Sequence, residues 1–467
     1  MTSISLLAHS PTAKPATASR WSQPRLHAVA AVWAVGVVMS ALPMGVQAQS
    51  LAEVFESART FDATFQSAKA ASDATLAKSE QARAGLLPTV GLSSGLSRTN
   101  VDNASPVPDR SFSSKNVTLA ASQPLYRPAN KLSFEQGQQS LVVAQAQLKA
   151  AEQDLIVRTT QAYFDVLAAQ DTLTFVHAQK AAVAEQLASA KRNFEVGTST
   201  ITDSREAQAR YDLVIAQEIA AENDLRVKNL ALDQLVGMTG TQPLALAQPL
   251  QLPQVQPDDV AAWVQTAQEQ QPAVRQAQIA LDIARLEIRK AGTGHLPTVD
   301  LQAGYNIARN PNGTVLMPGV SNRTNSASVG LVFNLPLFAG FSVQNRIKET
   351  LALEEKAQAD LETARRNTAQ ATRAAFFGVQ SGQGQVRALE AAEASSQSAL
   401  DANKLGYQVG VRINIDVLNA QSQLYQTKRD LAQARYNVLL GTLKLRQAAG
   451  ALTPDNVAAI NRLLVQP

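Results

Sequence analysis

Residues 294–307 read Gly294-His295-Leu296-Pro297-Thr298-Val299-Asp300-Leu301-Gln302-Ala303-Gly304-Tyr305-Asn306-Ile307. Gly294 and Pro297 stop the Ala- and Gln-rich helix pattern that precedes them. Beyond the proline the period changes from helical to two: Val299, Leu301, Ala303, Tyr305 and Ile307 alternate with Asp300, Gln302, Gly304 and Asn306. After a turn-rich loop Val329, Leu331, Phe333, Leu335 and Leu337 alternate again. The pair reads as a β-hairpin with one apolar face and one polar or small face. Segments of about ten residues with this alternation are the sequence signature of strands in a transmembrane barrel.

The same sentence is written twice in the chain. Gly85-Leu86-Leu87-Pro88-Thr89-Val90 returns as Gly294 to Val299, and Pro124-Leu125-Tyr126 returns as Pro336-Leu337-Phe338. Ala162-Tyr163-Phe164 returns as Ala375-Phe376-Phe377, and Asp203 falls on Asp416. Two copies, roughly 49–240 and 260–450, are therefore expected, with a Pro- and Gln-rich connector at 241–259 and a short tail at 451–467. The first hairpin is weaker but parallel in pattern, with Val90, Leu92 and Leu96 in one strand and Val117, Leu119, Ala121 and Leu125 in the other.

After each hairpin the pattern turns helical for an unusual length, roughly 128–194 and 341–406, with no proline inside either run beyond the opening Pro128. At 1.5 Å per residue each run reaches about 100 Å. Leu141, Leu148, Leu155 and Ala162 are spaced by seven, as are Leu424, Leu431, Val438 and Leu445. Beside the latter runs a small stripe, Ala420, Thr427, Ala434 and Gly441, the pattern of coiled-coil packing with close approach. Gly378, Gly382 and Gly384 inside the second long run leave two readings open, a local bend or a helix held straight by its neighbours.

Composition removes several function classes. The 467 residues are 45% hydrophobic, enough for a sizeable core, and no cysteine is present. Disulfides, iron–sulfur clusters, thiolate zinc sites, a cysteine nucleophile and a lipid anchored through a first cysteine are excluded. The net charge of +4 includes Lys14, Arg20 and Arg25 in the first 48 residues, so the remainder carries no concentrated basic surface for nucleic acid. Arg20 and Arg25 precede an apolar stretch from Ala28 to Leu42, and Val46-Gln47-Ala48 follows, so residues 1–48 read as a secretory leader cut after Ala48. No later stretch approaches the length of a spanning helix, so membrane insertion would be as β-structure.

Enzyme signals are poor. Gly91-Leu92-Ser93-Ser94-Gly95 matches a nucleophile elbow, yet the alternation assigns it to a strand. His177 and His295 stand far apart without an evident carboxylate pair at helical spacing, which argues against a metal site or triad, and no nucleotide fingerprint is present. No cofactor is expected.

Two hairpins supply four strands, fewer than the eight or so a closed barrel needs, so several copies must join. Two, three or four copies satisfy the arithmetic. Ala162-Tyr163-Phe164-Asp165-Val166-Leu167, Gly294-His295-Leu296-Pro297-Thr298, Asp416-Val417-Leu418-Asn419-Ala420 and Ala434-Arg435-Tyr436-Asn437 carry a resemblance to the TolC family of outer-membrane efflux and secretion channels, over nearly the whole chain beyond the leader. The resemblance implies a mainly α fold with a membrane contribution: a homotrimeric, twelve-stranded β-barrel continuing into a long α-helical barrel in the periplasm. It implies a passive export duct, opened by a periplasmic adaptor (membrane fusion) protein and an inner-membrane ABC or RND transporter. The missing lipid-bearing cysteine places the chain nearer the type I secretion branch. Long helices alone would also suit a periplasmic coiled-coil adaptor or scaffold; the strands discriminate against it.

The family resemblance also assigns roles near two helix turns that share Val-Gly, five residues, then Asp. Thr202 and Asp203 would be latch acceptors, Tyr407 would bond Asp203 within one chain, and Arg412 would reach Thr202 or Asp203 of a neighbour. Asp416 would contribute to a carboxylate ring facing the lumen, and Asn419 replaces a second ring aspartate, weakening cation selectivity. Gly197 and Gly410 would lie where an adaptor docks. From the residues alone, Gly as a helix stop and Asp203 as a helix N-terminal partner are sufficient explanations.

Overall fold

The computed structural model describes residues 48–102, 109–247, 249–250, 252–314 and 317–465; the expected leader lies outside them except for Ala48. The order helix, helix, strand, strand, long helix, helix runs twice. The first pass is α1 (Leu51–Phe61), α2 (Ala63–Ala84), β1 (Thr89–Val101), β2 (Arg110–Tyr126), α3 (Pro128–Glu195) and α4 (Ile201–Val236). The second is α5 (Val260–Gln270), α6 (Pro272–Gly292), β3 (Thr298–Asn310), β4 (Asn322–Asn334), α7 (Ser342–Gln408) and α8 (Asn414–Ala448); α9 (Pro454–Asn461) follows. Corresponding long helices contain 68 and 67 residues. No described helix is long and apolar enough to cross a membrane.

The four strands form one antiparallel sheet in the order β1-β2-β3-β4. Its register aligns apolar positions of all four strands in two rows, whereas Leu96 falls in a row with Lys115, Arg309 and Arg323. Leu92 faces Leu119, Leu119 faces Tyr305 and Tyr305 faces Ala327; one row along, Val90, Ala121, Ala303 and Val329 are partners. Because side chains alternate, these rows share one face, and the other carries Ser93, Thr118, Asn306 and Ser326 in register. The apolar face is open: Leu96 is 80% exposed and Val329 78%. The elbow-like Gly91 to Gly95 lies inside β1, where Ser93 Oγ donates to Thr118 O at 3.5 Å. Among the described residues, β1 and β4 each have one edge without a partner in the sheet.

Two of the residue runs that carried the resemblance turn out to build the helical core. Tyr163 and Phe164 of α3 pack with Leu51, Val54 and Phe55 of α1 and with Leu439 and Leu443 of α8. The Tyr163 hydroxyl sits between the carbonyl oxygens of Gln49 and Leu244 at 3.0 and 3.1 Å and accepts the Leu244 N–H at 2.7 Å. One buried ring thus ties Gln49, just ahead of α1, and the connector to α3. Tyr436 packs on Phe164 with ring centroids 5.4 Å apart and donates to Asp171 at 2.8 Å. The connector lies between both ends of the described chain: Gln49 N–H donates to Gln242 O at 2.7 Å and Val465 N–H to Ala245 O at 2.8 Å.

Leu424, Leu431, Val438 and Leu445 are all buried. α7 runs unbroken through Gly378, Gly382 and Gly384. The close approach explains one of these glycines: a Cβ on Gly382 would come within 3.0 Å of Val438, and one on Gly441 within 3.2 Å of Val379.

Gly450 ends α8 in the left-handed region, φ 70°, and a Cβ there would meet Gln271 Cα at 2.5 Å and the Gln270 carbonyl carbon at 2.6 Å. Both a strained backbone and a backbone clash oppose any side chain. Gly450→Ala is expected to cost at least about 2 kcal/mol, read as a lowered thermal midpoint of the helical circular-dichroism signal.

Candidate functional site: the paired helix turns

Each long helix ends in the same way. Gly197 N–H bonds Phe194 O at 3.0 Å and Thr198 N–H bonds Asn193 O at 2.8 Å; Gly410 N–H bonds Tyr407 O at 3.1 Å and Val411 N–H bonds Gly406 O at 2.9 Å. These are two Schellman caps, with the glycine in the left-handed conformation at φ 78° in both. Nothing crowds the missing Cβ of either glycine, so the backbone angle alone demands it. Gly197 and Gly410 therefore stop the two helices and leave bare backbone at the turns.

The next helices start differently, and the difference sorts the two aspartates. Asp203 and Asp416 both occupy the third helical position. Thr200 caps α4: Asp203 N–H donates to Thr200 Oγ1 at 3.2 Å, while Thr200 N–H and Oγ1–H donate to Asp203 Oδ2 at 3.0 and 2.9 Å. That is a capping box, and it engages the Asp203 carboxylate locally. Ile413 stands at the matching cap position of α8 and offers no side-chain bond. Asp416 faces instead the exposed Arg412 guanidinium, Nη1 to Oδ2 3.6 Å.

The structure brings the two turns together through contacts that spacing did not reveal. Tyr407 accepts from Asn193 Nδ2 at the end of α3 at 3.1 Å, a partner other than the expected Asp203. Thr202 lies exposed in the first turn of α4. Arg210 of α4 donates to Asn419 Oδ1 at 2.7 Å, placing a cation where the resemblance implied a second carboxylate.

Asn414 is the residue that sequence reading missed. It is fully buried, accepts from Gln186 Nε2 of α3, and donates through Nδ2 to Asp203 O at 3.2 Å. A buried amide joining α3, α4 and α8 is a three-way clasp. The available signal was Ile413-Asn414, a capping-type residue displaced one position into the helix behind an isoleucine that cannot cap. A second correction concerns His177, read as lacking carboxylates at helical spacing. Glu218 and Glu222 are such a pair, on α4 opposite it.

Long helices carrying a sheet with one exposed apolar face are the plan of an outer-membrane channel subunit. A family model described as "Outer membrane efflux protein" matches residues 54–238 and 263–451. The chain is 34% identical over 427 residues to the outer membrane protein TolC of Vibrio cholerae, covering 91% of this chain and 96% of that one. It is 30% identical to the proteases secretion protein PrtF of Dickeya chrysanthemi, covering 90% and 92%. Among solved structures the CmeC outer membrane channel of Campylobacter jejuni superposes with a TM-score of 0.74 at 16% identity, over 95% of this chain and 98% of that one. The chain belongs to the outer membrane efflux protein family: it is a TolC-type channel of the outer membrane and a transport duct, not an enzyme. The periplasmic scaffold alternative gives way on the same evidence.

Proposed function

We propose that three copies of the chain close one twelve-stranded barrel and that the paired helix turns gate the duct at its periplasmic tip. The observation that carries this reading is the sheet: four strands with apolar rows in register, and one unpartnered edge on each of β1 and β4. Hydrocarbon does not tolerate unpaired backbone, so β4 of one copy must pair with β1 of the next. In this reading the leader 1–48 is removed, and the copies 49–240 and 260–450 each contribute one hairpin. The connector 241–259 and the tail 451–467 gird the middle.

At the tip, Asp416, which starts α8 behind an Ile413 that makes no side-chain cap, is the residue for a lumen ring. Three carboxylates facing one aqueous path favour cations. Asn419, bonded by Arg210, removes a second ring and tempers that selectivity. Gly197 and Gly410 offer bare backbone to a periplasmic adaptor, which couples the duct to an ABC or RND transporter of the inner membrane. In this role Thr202 and Arg412, both exposed, are the groups available to neighbouring copies. The relative named for protease secretion supports a type I secretion role beside efflux.

Single-channel recording in planar bilayers tests the ring. The wild type is expected to pass a small, cation-selective current, and Asp416→Ala to lose most of that selectivity. Channels indifferent to the substitution would remove Asp416 from the conduction path. Light scattering on the detergent-solubilised protein checks the copy number, with three chains per particle expected.

A further inference from the structure

His177 of α3 and the pair Glu218 and Glu222 of α4 each direct one ligand atom into a common space, all within 4.8 Å of one another. We propose that these three side chains form a binding site for a Zn²⁺-class divalent ion that staples α3 to α4. The site lies 18 residues from the end of α3 at Glu195, about 27 Å along the helix. It is separate from the turns described above and does not depend on their gating role.

The geometry is close to what such an ion needs. Zinc bonds of about 2.1 Å in a tetrahedron set neighbouring ligand atoms about 3.4 Å apart. His177 Nε2 already stands 3.2 Å from Glu218 Oε1. Glu218 is only 15% exposed and its position is set by the helix pair, whereas His177 and Glu222 are exposed and can close the remaining gap by side-chain rotation. The fourth position faces solvent and would take water. Two carboxylates balance a divalent charge, and the neutral imidazole selects a borderline metal over Mg²⁺ or Ca²⁺, which seek six or more oxygens.

Lys180 gives the proposal a distinctive signature. Its ammonium sits 2.5 Å from Glu218 Oε2, the oxygen turned away from His177, so Oε1 stays free for the ion. That charge opposes a second cation, so removing it should tighten binding.

Isothermal titration of the full, detergent-solubilised protein with Zn²⁺ tests the site. One ion per chain is expected, with affinity weakened at least about tenfold in His177→Gln and in Glu218→Gln, and tightened in Lys180→Met. His295→Gln, outside the cluster, should bind as the wild type does. X-ray absorption at the zinc edge should show a nitrogen- and oxygen-only shell with one imidazole. Zinc should also raise the melting temperature of the wild type and not of His177→Gln. Absence of binding at millimolar zinc, or binding unchanged by His177→Gln, would overturn the proposal.

Discussion

Asn414→Ala is expected to loosen the two helix turns from each other and to raise single-channel conductance. The substitution leaves the Gln186 amide and the Asp203 carbonyl without the side chain that joins them. Buried groups stripped of a partner cost about 1–3 kcal/mol each way of counting, which shifts the balance between clasped and parted turns by roughly 5- to 150-fold. The contacts from Asn193 to Tyr407 and from Arg210 to Asn419 remain, so the parted state competes rather than takes over. Conductance should therefore rise while the helical signal stays intact. Hydrogen exchange at residues 186–203 separates the two parts of the argument. Faster exchange with unchanged conductance would keep the clasp and discard its control of the duct; no change in either would show that Asn414 holds nothing. A double-mutant cycle with Gln186→Ala should be strongly non-additive, since both changes break one bond.

Arg158→Ala is expected to be among the most destabilising single changes in the helical body. Asp62 ends α1 and caps α2, accepting the Phe65 N–H at 2.7 Å, and its side chain is 8% exposed. Arg158 of α3 grips it with both terminal nitrogens, at 3.0 and 3.1 Å, while Nε donates to Asp154 at 2.6 Å. Losing the guanidinium strands a carboxylate in the core, a loss of about 3–5 kcal/mol for a fully buried pair. Water reaches Arg158 in part, so about 2–3 kcal/mol is expected here.

The pH dependence gives the check its sign. The Arg158 guanidinium holds the Asp62 carboxyl below the usual carboxylate range, with burial opposing and the Phe65 and Thr64 N–H groups assisting. A depressed folded pKa supplies stability that is complete above the unfolded value near 4 and is lost as pH falls through the folded value. In Arg158→Ala only burial and the cap remain, so most of that acid-labile contribution disappears. Denaturant unfolding should show a large gap between wild type and variant at pH 7 that narrows at pH 3. An equal gap at both values would mean the fork acts by packing and not by charge.

Local patterns made much of this chain readable. Alternation from Val299 to Ile307 marks a strand because side chains project with period two whatever the neighbours are. Gly197 and Gly410 mark helix ends because only the left-handed angle completes the cap. The leader expectation likewise rests on residues near each other in sequence, while the repeat and the exclusion of thiol chemistry needed only the sequence compared with itself and counted. Even the different standing of Asp203 and Asp416 was partly written, since Thr200 can cap a helix and Ile413 cannot.

Contacts across large sequence separations were not readable. Tyr407 could be paired with any polar group of the opposite turn, and only packing chose Asn193. His177 looked solitary because its carboxylates lie about forty residues away on the returning helix, where a shift of one residue would turn them to another face. Asn414 carried no more than an odd cap. Sequence by itself determined the alphabet of the fold: four alternating strands, two very long helices with their partners, and glycine stops. Tertiary structure alone decided which faces meet: the register that gathers the apolar rows on one side of the sheet, the clasp at Asn414 and the cluster at His177. The physical reason is that a period fixes the direction of a side chain on its own element, whereas the contact it makes depends on the rotation and axial offset of two elements that lie tens to hundreds of residues apart in sequence.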